Sequence, residues 1–247
     1  MDWSGPAIIL SARAHGEGAA IVQAFSREGG RCAGLVHGRR NKTALLQPGN
    51  LAEASWRARL EEHLGVMTLE LTAARTADAL NDRAALSALN SACAIALTAL
   101  PERDPHPQVF DALDLVLSHL GDRALWPALY VRWELGLLAE LGFALELEKC
   151  AMTGMREDLA YVSPNTGKAA SRSAGAPYAE RLLALPRFLA GGDLGNGPAW
   201  HEIAKGLALT GHFLDKRLYA AHNAPVPEAR ARLVEEVARL ERADAAG

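Results

Sequence analysis

Cysteine is scarce in this chain, with three residues, Cys32, Cys93 and Cys150, spread across 247 positions. An odd, widely spaced set predicts free thiols rather than a disulfide framework. Aromatics are also thin, at 6%. The first 75 residues contain only Trp3, Phe25 and Trp56, so a broad stacking platform is not expected there. Long apolar runs are missing. The most apolar stretch, Ala84 to Leu100, is interrupted by Ser87, Asn90 and Ser91 and is shorter than the ~20 residues a membrane span needs. The start of the chain has no basic segment followed by an apolar core, because Asp2 comes first and Ser11 and Arg13 break the early apolar run. These absences predict a soluble cytoplasmic protein with no membrane contact.

Readable catalytic motifs are missing too. His201-Glu202-Ile203-Ala204-Lys205 opens like a zinc-protease helix, but lysine replaces the second imidazole needed on that face. Asn165-Thr166-Gly167-Lys168-Ala169 echoes a phosphate loop, yet Val162 stands at the earlier glycine and Ala169 has no hydroxyl for magnesium. Gly16-Glu17-Gly18 is followed by Ile21 where a dinucleotide loop needs a small residue. The expectation is a protein that is not an enzyme.

What is present is a change of texture along the chain. Short β-branched runs fill the first 75 residues: Ala7–Leu10, Ala19–Ser26, Arg31–Val36, Leu51–Arg59 and Val66–Arg75. Turn chemistry separates them at Arg27-Glu28-Gly29-Gly30 and Gln47-Pro48-Gly49-Asn50. Five such strands suit a small, partly open barrel. From Asp78 onward Ala and Leu recur with helical spacing. Helices are predicted from Leu80 to Leu100, Val109 to Leu120, Leu125 to Leu141, Tyr178 to Leu189, Trp200 to Tyr219 and Pro227 to Arg242, with an irregular hairpin at about 147–175. The fold class is therefore α+β in two parts, a domain over 1–77 and a helical domain over 78–247.

Net charge is only −3, but it is unevenly distributed. Residues 1–60 hold eight Lys or Arg against four Asp or Glu, and the remainder holds 18 against 25. Arg13, Arg27, Arg31, His37, Arg39, Arg40 and Lys42 fall within 30 residues of the β-rich segment. Cations along one groove of a barrel neutralise phosphates. Equally, such charges can be solvated loop and edge-strand groups that deter edge-to-edge pairing.

Four separated pieces then resemble one family. Ile9-Leu10-Ser11-Ala12-Arg13-Ala14-His15-Gly16-Glu17, Phe25-Ser26-Arg27-Glu28-Gly29-Gly30, Gly34-Leu35-Val36-His37-Gly38-Arg39-Arg40 and Leu46-Gln47-Pro48-Gly49-Asn50 occur in the order and spacing of the RecO recombination mediators. Weaker similarity continues through Tyr130-Val131-Arg132-Trp133-Glu134-Leu135, Leu141-Gly142-Phe143 and Phe213-Leu214 to Pro227.

The resemblance implies an N-terminal OB-fold barrel, then a helical domain with an inserted finger-like hairpin. It implies a non-catalytic DNA-repair and homologous-recombination mediator in the cytoplasm, at the nucleoid. Such a protein binds and anneals single- and double-stranded DNA, binds the C-terminal tail of the single-strand-binding protein SSB, and with RecR promotes RecA loading on gapped DNA. Arg13, Arg27, Arg31, His37, Arg39, Arg40 and Lys42 would contact DNA. Arg132 would receive the SSB tail, unless it merely pairs with Glu134 or a neighbour, and Arg217 is a further partner-binding candidate. The alternative is a protein-interaction adaptor with little DNA binding of its own.

Some family members carry two Cys-x-x-Cys pairs in the hairpin, a four-thiolate zinc site. Here the pairs read Cys150-Ala151-Met152-Thr153 and Ser171-Arg172-Ser173-Ala174. Only Cys150 remains, so no zinc and no other cofactor is expected, and the hairpin should be held by packing through Tyr161 and Leu159.

Overall fold

The computed structural model describes residues 2–39, 42–59, 64–192 and 197–246. It divides into two compact units, Met1–Gly121 with Pro227–Leu233, and Asp122–Val226 with Val234–Gly247.

The first unit is built on five strands, β1 (Asp2–His15), β2 (Ala19–Ser26), β3 (Gly30–His37), β4 (Leu51–Arg57) and β5 (Gly65–Ala73). They close a barrel in the order β1-β2-β3-β5-β4. The long first strand makes closure possible. Its N-terminal half pairs with β4, from Asp2↔Arg57 to Ile8↔Leu51, and its C-terminal half pairs with β2, from Ala7↔Ser26 to His15↔Ala19. An irregularity between Ile9 and Ser11 bends the strand between these partners, as a bulge does. The parallel contact of β3 with β5, Gly34↔Gly65 and Leu35↔Val66, completes the ring.

Strict alternation decides which residues fill it. Ala20, Val22, Ala24, Cys32, Val36, Ala54, Trp56 and Met67 point inward and are buried. Trp56 plugs the interior and donates its indole N–H to the Ala33 carbonyl at 2.8 Å.

Helices α1 (Arg75–Ala79), α2 (Arg83–Ala99) and α3 (Pro107–Ser118) belong to the same compact unit as the barrel. Asp82 caps α2 by accepting from the Ala84 and Ala85 amides. The apolar face read from the spacing holds for Leu89, Cys93, Ile95 and Leu100, all buried. Leu80 departs from it, since it closes α1 rather than opening α2 and is 63% exposed. Phe25 of β2 meets Phe110 of α3 edge to face, ring centroids 5.5 Å apart. Strand gives way to helix between Ala73 and Arg75, and α1 to α3 are compact with the strands that precede them.

The second unit contains α4 (Trp126–Glu140), a three-stranded sheet, and α6 (Trp200–Phe213). The sheet runs β7 (Ala169–Ser171), β6 (Leu159–Val162), β8 (Leu183–Ala184), and the short α5 (Arg172–Gly175) follows β7. The helix predicted over Tyr178–Leu189 is absent. In its place stand a 3-10 turn at Ala176–Arg181, strand β8, and another 3-10 turn at Arg187–Leu189. Pro177 and Pro186 remove amide donors inside that stretch, and Leu183 and Leu185 gain backbone partners from the hairpin instead.

Helix α6 crosses α4 closely at Gly206, where a Cβ would lie 2.9 Å from Val131. Glu134 of α4 is fully buried and accepts a hydrogen bond from the Thr210 hydroxyl of α6. The α6 helix continues as a π-helical segment, Leu214–Tyr219, and α7 spans Glu228–Asp244. Among the described residues no helix is long and apolar enough to cross a membrane.

Candidate nucleic-acid interface

The strand register sorts the cations of the barrel into two groups. On the outward faces of β1, β2 and β3, Arg13 shares a row with Ile21 and Leu35, and His37 lies two positions beyond Leu35 along the same face. Arg39 and Lys42 follow at the same end, in the segment leading out of β3. Arg27 and Arg31 lie at the opposite end, where β2 turns into β3. Arg40 lies outside the described residues.

The second group is engaged within the unit. Arg27 forms a two-pronged ion pair with Asp111 of α3, Nε to Oδ1 at 2.9 Å and Nη2 to Oδ2 at 3.0 Å. That guanidinium holds the Asp111 carboxyl below its ordinary range through the hydrogen bond, against a smaller cost of burial. Arg31 donates from Nε to the Leu100 carbonyl at 2.8 Å and pairs with Glu102 at 3.2 Å, its side chain only 15% exposed. Both arginines brace the barrel against the segment spanning α2 to α3.

Two members of the first group share a concavity. Arg13 and Arg39 both line a pocket of about 120 Å³, with Ala12, Ala14, Thr43 and Gln47 around it. The Arg39 Nε is buried without a hydrogen-bond partner. A buried donor left open costs free energy that an acceptor would recover. No lining residue is acidic.

The loop that forms this wall is pinned from several sides. The Gly38 and Arg39 amides donate to the Gly18 carbonyl at 2.9 and 3.1 Å, and Leu46 donates to the Lys42 carbonyl at 2.9 Å. Buried Asn50 donates to the Ala44 carbonyl at 2.8 Å and accepts from the Thr76 amide at 3.2 Å. The arginines therefore sit on a held backbone rather than on a free arm.

The barrel aromatics add little to a stacking surface. Phe25 and Trp56 are interior, and Trp3 is half-buried beside an open pocket of about 710 Å³ that also carries Ser4, Ser55, Arg57 and Thr68. The β1 to β3 face therefore offers basic side chains and few exposed rings on which bases could stack.

In the second unit Arg132 projects from α4, exposed, and donates Nη2 to the Phe188 carbonyl at 2.9 Å. It does not pair with Glu134, which faces Thr210. Close by in sequence to Phe188, Arg187 lines a cavity of about 520 Å³ with Tyr161, Leu159, Leu185, His201 and Lys205. Spacing alone did not reveal this cavity, because its walls come from β6, β8 and α6. Glu202 in its lining is held below the usual carboxylate range, burial being outweighed by Lys205, the Arg187 amide and His201.

Arg217 lies in the π-helical segment, stacks on Phe213 at 4.7 Å and donates to the Asn165 carbonyl at 2.8 Å. His212 donates to the Pro164 carbonyl at 3.2 Å. Both side chains clamp the hairpin turn.

The hairpin positions of the four-thiolate pattern now carry Cys150, Thr153, Ser171 and Ala174. Hydroxyl and methyl groups in three of four places do not fit a thiolate site. Among the described residues no cluster of three His, Cys, Asp or Glu could hold a metal. Cys150 is buried, which pushes its thiol up, but hydrogen bonds from Thr153, Ser171 and the Met152 amide outweigh this and bring it down to about 6.

A closed five-stranded barrel followed by a helical part defines the class of OB-like two-part proteins, and comparison with known sequences makes it specific. Residues 1–75 match the family described as recombination protein O N terminal, and residues 80–224 match recombination protein O C terminal. The DNA repair protein RecO of Rhodospirillum centenum is 52% identical over 95% of this chain and 94% of its own. Those of Cereibacter sphaeroides and Caulobacter vibrioides are 48% and 43% identical, over 97% and 98% of this chain and 99% and 100% of theirs. The chain belongs to the RecO family of DNA repair proteins.

Proposed function

We propose that this protein is a non-catalytic recombination mediator whose barrel holds DNA by its phosphates. The observation that carries this reading is the acid-free pocket in which Arg13 and Arg39 meet, with a buried Arg39 donor left open. Lys42 extends the positive end, and His37 lies beside it on the same face. Arg27 and Arg31 enter this reading mainly as braces, because part of each guanidinium is already engaged within the unit.

Fluorescence anisotropy of a labelled single strand across a salt series tests it. Binding should weaken steeply with salt. Replacing Arg13, Arg39 and Lys42 with glutamine should flatten the slope by about 2–3 units, one per phosphate contact. An unchanged slope would remove this end of the barrel from the interface.

The helical unit then serves partners. An acidic, apolar-ended peptide such as the SSB tail needs a cation beside an apolar wall. Arg132, and the cavity where Tyr161 and Leu185 adjoin Arg187 and Lys205, supply both. Annealing, cooperation with RecR, RecA loading and residence at the nucleoid follow from the same reading. The interior placement of Phe25 and Trp56 favours one alternative, an adaptor that binds DNA weakly, and absence of oligonucleotide binding at low salt would select it.

A further inference from the structure

We propose that the Arg13–Arg39 pocket is a seat for a terminal phosphate monoester, so that the barrel distinguishes a phosphorylated strand end from an unphosphorylated one. This rests on the DNA-binding reading and goes beyond it, since tracking a backbone needs no pocket.

Volume is the first argument. About 120 Å³ equals the share of roughly four liquid waters, enough for one tetrahedral phosphate. An internal diester carries a nucleoside on each side and is better served by a groove open at both ends. A terminal phosphate enters with one substituent only.

Charge is the second. A monoester carries about −1.5 to −2 at neutral pH, against −1 for a diester. The lining provides two arginines and no carboxylate to oppose them. This distinguishes it from the other pocket of the barrel, which includes Asp2.

Donor count is the third. Arg39, Arg13 and Gln47 line the same small space, and the buried Arg39 Nε has no partner of its own. Gln47 donates one N–H to the Thr43 carbonyl at 3.1 Å and keeps a second. A monoester presents three terminal oxygens to these donors and a diester two, each able to accept more than one bond.

Preorganisation is the fourth. The described part of the wall is held through Gly18, Asn50 and Thr76, which limits the ordering entropy lost there on binding.

The test compares otherwise identical oligonucleotides ending in 5′-phosphate, 3′-phosphate or hydroxyls, by anisotropy at fixed salt with the full chain. One phosphorylated end should bind about tenfold tighter than the hydroxyl ends, the scale of one additional charge-assisted hydrogen bond. Arg39→Gln and Gln47→Leu should each erase that advantage, with circular dichroism confirming the fold. Equal affinity for all ends would overturn the proposal while leaving the DNA-binding reading intact. No binding to any oligonucleotide would overturn both. Free thymidine 5′-monophosphate binding as tightly as the phosphorylated strand would assign the pocket to a nucleotide and overturn the strand-end assignment.

Discussion

Arg27 and Gly30 show how much single residues carry at the closed end of the barrel. Arg27→Gln should release the Asp111 carboxyl, whose titration by NMR would move up toward the ordinary value of 3.8. A carboxyl held low in the folded state contributes stability that is present above its unfolded value and lost as pH falls through the folded one. The wild-type protein should therefore lose this contribution in acid, and the variant should lack it at every pH. Gly30 sits at φ +67, and a Cβ there would lie 2.3 Å from the Asp104 carbonyl oxygen. Gly30→Ala should destabilise by about 1–3 kcal/mol in urea unfolding, combining positive-φ strain with displacement of the 101–106 segment. Cys150 offers a third handle. Its lowered thiol makes the folded state gain stability as pH rises from about 6 toward the unfolded value near 9, and Cys150→Ala should abolish that slope.

At the scale of elements, Phe110→Ala on α3 should cost about 3 kcal/mol, because the ring is buried against Phe25 and the barrel cannot collapse into the space. The same scale shows what could be read from the chain beforehand. The five strands were legible because each has an interior face of small or β-branched residues bounded by turn residues, as in Ala20-Val22-Ala24 against Cys32-Gly34-Val36. Helices α2, α3, α4 and α6 were legible from their apolar spacing. The stretch Tyr178–Leu189 was not, since its leucines mimic a helical face while Leu183 and Leu185 satisfy a sheet edge that exists only in the folded hairpin. The candidate site was half legible. Charge density marked a segment, but which of its side chains are engaged within the unit depends on Asp111, Glu102 and Leu100, some 70 to 84 residues away along the chain. Arg217 was read as a partner contact. Its bonds to the hairpin turn give it a bracing role that hydrogen exchange can measure: Arg217→Ala should accelerate exchange of the Gly167 amide, which donates to the Ser163 carbonyl, and leave the barrel amides protected.

Across the whole molecule, positive charge concentrates in the first 60 residues while the remainder is acidic. Most of that acidic excess lies in residues 61–121, with three Lys or Arg against nine Asp or Glu, so a DNA track extended from the strands over that segment would meet it at an electrostatic cost. On the proposed reading the two tasks are divided: phosphates would go to the barrel, and the acidic tail of a partner to Arg132, Arg187 and Lys205 of the second unit. The division is testable because the two surfaces use different residues. Arg132→Ala should weaken binding of an SSB tail peptide about tenfold or more, the scale of a lost charge-assisted contact, and leave the oligonucleotide salt slope unchanged. Arg39→Gln should do the reverse, flattening the salt slope by about one unit without touching the peptide affinity. If either substitution impaired both ligands, the two sites would be energetically one, and DNA and the tail would have to compete for the protein rather than occupy it together.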